Sequence, residues 1–143
     1  MILKADLMHI KPYIEQVQQA FIAVQPPEYY ANPDCCEECA AANCWLSGNS
    51  FVSPNFMDTE GADAIVSMTA AGWQYMFPHI ISLVVEPQSW KLVDALLHLH
   101  LPYMIKCYNE HTVQHTPQQR MAIEEFHQEL LRQEQIRYYQ ENQ

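Results

Sequence analysis

Between residues 11 and 24 the apolar side chains Ile14, Val17, Phe21 and Val24 recur at steps of three, four and three. That spacing places them on one stripe of an amphipathic helix. Pro12 suits the first turn, where its missing N–H leaves no bond unmade. Gln16, Gln18 and Gln19 fall off the stripe and face water. Gln25-Pro26-Pro27 ends the helix, and residues 28–34, with Tyr29, Tyr30 and Pro33, read as a loop. Asp34 then has the place of an N-cap, with Glu37 three residues on to complete a capping box. Ala40, Ala41 and Ala42 favour helix, and Gly48 is a natural stop, so the pattern predicts a short helix over 35–47.

Residues 49–63 carry Pro54, Gly61 and scattered acids and read as one long central loop. Thr69 caps the next helix, with Trp73, Met76 and Phe77 on its apolar face; Pro78 interrupts it. Residues 79–85 resume as a nearly all-apolar, buried turn or two before Pro87. Ser89 caps a helix from 90 to about 98, with Leu92, Val93, Leu96 and Leu97 inward and Pro102 as its stop. Residues 103–107 read as a short helix. Thr116-Pro117-Gln118-Gln119 is a strong start signal: cap, Pro at the first position, Gln three after the cap. That last helix runs to about Tyr139. Met121, Ile123, Phe126 and Leu130 form its packed side, and Glu125, Gln128, Glu129 and Arg132 its wet side. The whole reads as a single all-α domain spanning 1–143, with five to seven helices in an irregular array.

Composition agrees. A chain of 143 residues with 49% apolar side chains buries roughly two-thirds of its unfolded surface, enough for a core without staples. Only three Gly argues against a turn-rich β-sandwich and against phosphate loops. The start of the chain has no secretory signal pattern and no run reaches membrane-spanning length, so the expectation is a cytoplasmic protein with reduced thiols. Five cysteines, an odd number, fit poorly with a disulfide framework.

Charge narrows the partners. The formal charge is −10, and no Lys or Arg stands between Lys11 and Lys91, an interval holding nine acids. Nucleic acid and anionic membrane surfaces are therefore excluded as expected partners, since both are bound through cations. A basic protein partner is the favoured one. Glu37, Glu38, Asp58, Glu60 and Asp63 are the acids expected to meet it, with Trp45 as an aromatic anchor. The plainer reading of the charge is solubility, and that of Trp45, Phe51 and Phe56 is core packing.

The candidate chemistry lies in Cys35-Cys36-Glu37-Glu38-Cys39 and on to Cys44. Cys36 and Cys39 form a C-x-x-C, a spacing that lets two thiolates converge on zinc, with Cys44 as the expected third ligand. Adjacent cysteines rarely reach one ion together, so Cys35 is left out. The same motif at a helix N-terminus also permits a thiol-redox role, which Glu37 and Glu38 oppose by charge. The plainest alternative is small, half-buried apolar side chains. His98, His100, His111 and His115 show no ligand spacing, and the single Glu124-x-x-His127 lacks the second copy that a di-iron bundle needs. No nucleophile elbow, zincin motif or phosphate loop is present, and nothing motivates assigning an enzyme.

Three pieces in order, Cys36-Glu37-Glu38-Cys39, the segment from Ser67 to Pro78 ending Trp73-Gln74-Tyr75-Met76-Phe77-Pro78, and Thr116-Pro117-Gln118-Gln119 through Ala122-Ile123 to Phe126, resemble an uncharacterised family of small bacterial proteins, a domain of unknown function. The doubled Cys35-Cys36, the extra Cys44 and Ala70 in place of Pro depart from its pattern. The resemblance implies one helical domain of bacterial origin and carries no activity. The function expected is thus a small protein-binding protein that caps a basic site on its partner, as an immunity or inhibitor protein does. A zinc-stabilised module is the alternative, and a thiol-redox protein or enzyme the third.

Overall fold

Asp6 opens the first ordered turn by accepting the Met8 N–H on its side chain at 3.0 Å. A 3₁₀ turn, Leu7–Ile10, runs straight into helix α1, Lys11–Ala20. The computed structural model describes residues 4–48 and 51–142, and among these no β-strand occurs. The stripe behaves as its spacing predicts: Ile14, Val17 and Phe21 are buried, and Val24 half-buried. An irregular stretch follows to residue 36, pinned where Asn43 Oδ1 accepts the N–H of Tyr30 at 2.8 Å and of Ala31 at 3.3 Å.

Helix α2 spans Glu37–Gly48. The stretch read as a central loop is mostly ordered beyond residues 49 and 50, which lie outside the described residues. It holds a 3₁₀ turn, Pro54–Asp58, capped by Ser53, and helix α3, Glu60–Val66, capped by Thr59. Gly61 misled the sequence reading. It does not break α3; a Cβ there would come within 2.8 Å of the Trp45 ring and 2.9 Å of the Phe56 carbonyl. Glycine is thus what lets α3 lie against α2 and the turn between them.

Helix α4, Ala70–Ile81, starts at Thr69, whose side chain accepts the Gly72 N–H at 3.0 Å. Pro78 was expected to interrupt it, yet the helix runs three residues beyond before tightening into a 3₁₀ turn, Ser82–Val85. Gln18 donates to the Pro78 carbonyl at 3.3 Å, tying α1 to that turn. Ser89 does not cap the next helix. Its hydroxyl donates to the Val84 carbonyl at 2.6 Å, closing the connection instead. Helix α5, Trp90–Ala95, passes into a π-helical turn, Leu96–His100, and then into α6, Leu101–Asn109. Pro102 therefore does not stop the helix. Its ring would crowd the carbonyl four residues back and supplies no N–H to it. The chain answers with one wide turn just ahead of the proline and continues.

Helix α7, Pro117–Glu141, begins with the full capping box between Thr116 and Gln119. Its buried face is Ala122, Ile123, Phe126 and Leu130; Met121, expected inside, is 56% exposed. α7 packs along α1, and Gln119 donates to the Ala20 carbonyl at 3.2 Å. Phe77 of α4 meets Phe126 of α7 edge to face, with centroids 5.7 Å apart. Ile80, Ile81, Leu92, Leu96, Leu101 and Leu130 close the core around that pair. The all-α expectation holds. No helix among the described residues is long and apolar enough to cross a membrane.

Candidate functional site

The site is built where the irregular stretch meets α2. Asn32 starts a turn in which its carbonyl accepts the Cys35 N–H at 3.2 Å, with Pro33 at the second position, where its fixed φ suits a turn. Asp34, expected to cap the helix, sits inside this turn and donates its own N–H to Asn32 Oδ1 at 3.0 Å. The cap is Cys36. Its carbonyl accepts the first helical bond, from Ala40 at 3.0 Å, and its Sγ accepts the Cys39 N–H at 3.4 Å. A sulfur thus fills the place that Ser or Asp usually takes. The predicted start at residue 35 moves to Glu37 for this reason.

The turn changes the ligand set. Cys35 lies in the turn and Cys36 at the cap, so the backbone bends between them and their side chains need not splay. The Sγ atoms of Cys35, Cys36 and Cys39 all lie within 4.8 Å of one another. Close-packed thiols of this kind are near enough to hold a metal ion. Cys44, the expected third ligand, is exposed and outside the cluster, five residues beyond Cys39 and so more than one helical turn away. The correction is Cys35 for Cys44. All five cysteines are free thiols, and Cys107 is buried in α6.

The three thiols are not equivalent. Hydrogen bonds from the Cys39 backbone and side chain hold the Cys36 thiol below its ordinary value, despite Glu37 and Glu38 in the same turn. Cys39, whose proton serves Cys36, is pushed up to about 11. N–H donors directed at the sulfur therefore outweigh the neighbouring carboxylates at Cys36. Cys35 and Cys36 are exposed and Cys39 is half-buried, so one side of the cluster is open.

One turn further along, a groove of about 610 Å³ runs between α2 and α3. Glu38, Trp45, Glu60 and Asp63 line it, with Ala41, Ala42 and Ala64 among the small residues at its base. Four of the six residues expected to meet a partner are thus brought together. Glu37 is exposed beside the groove in sequence but does not line it. Asp58 stands apart, its carboxylate bonded to Lys91 Nζ. Trp45 is half-buried and packs edge to face on Phe51, which packs likewise on Phe56.

The histidines do not gather. His98 and His111 are exposed, His100 is buried against Trp73, and His115 is stacked on Tyr108. His115 also lines a cavity of about 90 Å³ with Arg120 and Ile123, a feature no sequence spacing announces. Among the described residues the cysteine trio is the one group of three or more His, Cys, Asp or Glu close enough to share an ion. Comparison with protein-family models, with curated proteins and with solved structures finds no match for the chain.

Proposed function

We propose that the chain is a zinc-binding module in which Cys35, Cys36 and Cys39 hold the ion and so fasten the irregular stretch to the first turn of α2. The observation that carries this reading is the mutual approach of the three Sγ atoms to within 4.8 Å. Thiolates suit zinc, cadmium and monovalent copper. Charge favours the divalent ions. Three thiolates beside Asp34, Glu37 and Glu38 leave less excess negative charge around a 2+ ion than around a 1+ ion. Three protein ligands leave the fourth tetrahedral position to water or an outside group. Binding displaces the Cys39 proton, so affinity falls as the solution is acidified.

Protein freed of metal and titrated with zinc is expected to take up about one ion per chain. At a free-zinc level of about a hundredfold over the dissociation constant, folding gains about 2.7 kcal/mol. Cys36→Ser and Cys35→Ser should each weaken binding by at least about tenfold, equivalent to about 1.4 kcal/mol, while Cys44→Ser leaves it unchanged. Zinc that dissociates during buffer exchange and is insensitive to Cys36→Ser would overturn the reading.

A second reading is favoured by the collection of Glu38, Trp45, Glu60 and Asp63 along one groove. It is a protein-binding module that caps a basic site on its partner, in the manner of an inhibitor or immunity protein. Carboxylates on the rim steer a cationic surface in and weaken in salt, while a half-buried aromatic supplies the apolar contact. A Lys- and Arg-rich helical peptide is the probe. Its affinity is expected to fall about tenfold, or about 1.4 kcal/mol, in the Glu60→Gln/Asp63→Asn double variant. Equal binding to parent and variant, measured calorimetrically at low salt, would remove this reading.

A further inference from the structure

We infer that Cys36 and Cys39 form a redox-active pair whose oxidation by a cationic disulfide expels the metal, so that metal occupancy and the disulfide exclude one another. The inference rests on the zinc reading and names its regulation.

Geometry selects the pair. Cys35 and Cys36 are neighbours in the chain, with Cα atoms about 3.8 Å apart across a trans peptide, shorter than the usual span of a disulfide, about 4.4–6.8 Å. Cys36 and Cys39 are three apart at the start of a helix, where side chains lie over one another about 5–6 Å apart at Cβ. The N–H···S bond already brings Cys36 Sγ over the Cys39 backbone. Closing the sulfurs from within 4.8 Å to about 2 Å then takes side-chain rotation. Exposure of Cys36 gives an oxidant access to its sulfur.

The step balances without any further reactant. The Cys36 thiolate attacks one sulfur of R–S–S–R, forming a Cys36–S–S–R bond and releasing R–S⁻. The Cys39 thiolate attacks Cys36 Sγ, forming the Cys36–Cys39 bond and releasing the second R–S⁻. Two electrons pass from the two cysteines to the disulfide. The metal ion loses two of three ligands and leaves, and Cys35 takes up a proton from solvent.

Charge selects the oxidant. Asp34, Glu37 and Glu38 are all exposed around the trio. They repel an anionic disulfide such as glutathione disulfide and attract a diammonium disulfide such as cystamine, an effect that salt screens.

The test exposes the zinc-loaded full chain to cystamine, hydroxyethyl disulfide or glutathione disulfide. Released zinc is followed with a chromogenic chelator and the cysteines are mapped by mass spectrometry. Rates are normalised to a neutral cysteine peptide. One zinc is expected per Cys36–Cys39 disulfide formed. Cystamine should be at least about tenfold faster than glutathione disulfide at low salt, the gap closing in about 0.5 M salt. Cys39→Ser should accumulate a mixed disulfide on Cys36, and Cys44→Ser should behave as the parent. Zinc retained with all three thiols free under excess cystamine overturns this inference and leaves the zinc reading standing. Equal normalised rates for the three disulfides overturn the cationic assignment, and a mapped Cys35–Cys36 bond overturns the pair. Failure to load zinc, measured beforehand by elemental analysis, overturns the zinc reading and the exclusion with it.

Discussion

Gly72→Ala is expected to destabilise the protein by about 2 kcal/mol and to lower its melting temperature by roughly 6–8 °C. Helix propensity alone predicts the opposite sign, since alanine gains up to about 1 kcal/mol over glycine inside a helix. Position 72 is the third residue of α4, and there the surroundings decide. A Cβ would sit 2.5 Å from the Tyr30 carbonyl oxygen and 3.2 Å from the Tyr30 C and Cα. These are backbone atoms and cannot rotate aside. The same carbonyl accepts the Thr69 N–H at 2.9 Å and the Thr69 hydroxyl at 3.3 Å, so moving it disturbs the start of α4 as well. Overpacking of this kind removes about 1–3 kcal/mol or more, which exceeds the propensity gain. Gly48→Ala is the matched control: nothing lies within 4 Å of its added Cβ, so stability should stay within about 0.5 kcal/mol. Thermal melts of the two variants beside the parent decide it. A Gly72→Ala chain as stable as the parent would mean that α4 does not sit this close to Tyr30.

His100 should make stability strongly pH-dependent on the acid side. It is 4% exposed, its ring lies 4.6 Å from the Trp73 ring between centroids, and burial pushes its pKa down to about 4. The unfolded chain binds a proton at this position below about pH 6.5, while the folded chain resists until about pH 4. In that window the unfolded state holds more protons, so stability rises with pH and falls on acidification. The loss between pH 7 and pH 4 is about 3 kcal/mol from this residue alone. His100→Phe keeps a ring against Trp73 and removes the titration. Urea unfolding at pH 7, 6, 5 and 4 should show parent and variant diverging by that amount, with carboxylate contributions common to both. Parallel curves would show that His100 does not stay neutral in the fold.

Much of the fold was legible because local signals and burial agree. Ile14, Val17 and Phe21 repeat at helical spacing, and Thr116 and Gln119 make the cap that their order announces. The errors fall where one residue type has two physical uses. Gly61 reads as a breaker, yet it is small because Trp45 and Phe56 stand against it. Pro78 and Pro102 read as stops, yet each is absorbed by a change of helical pitch nearby. The cysteine site was half legible. The C-x-x-C gave Cys36 and Cys39, but Cys35 was set aside on the rule that neighbours point apart. That rule holds within a helix or a strand, and it lapses at the boundary where the Asn32–Cys35 turn meets the Cys36 cap. The groove was foreseen as a list of acids; that α3 exists at all, and so places Glu60 and Asp63 across from Glu38, depends on packing that no periodicity records.

The wide turn at Leu96–His100 has a meaning for how this segment can vary. A π turn holds one residue more than a regular turn, and each residue advances an α-helix by about 100°. It therefore acts as a phase shifter between two halves of a single rod. Upstream, Leu92 and Val93 face the core; downstream, Leu101, Met104 and Cys107 do so only because the extra residue has rotated them into line. Removing one exposed residue such as Leu99 would leave a smoother helix and a mis-timed one, with the downstream half turned by about 100°. Between Trp90 and Asn109 the chain can tolerate exchange of letters far more readily than a change in their number.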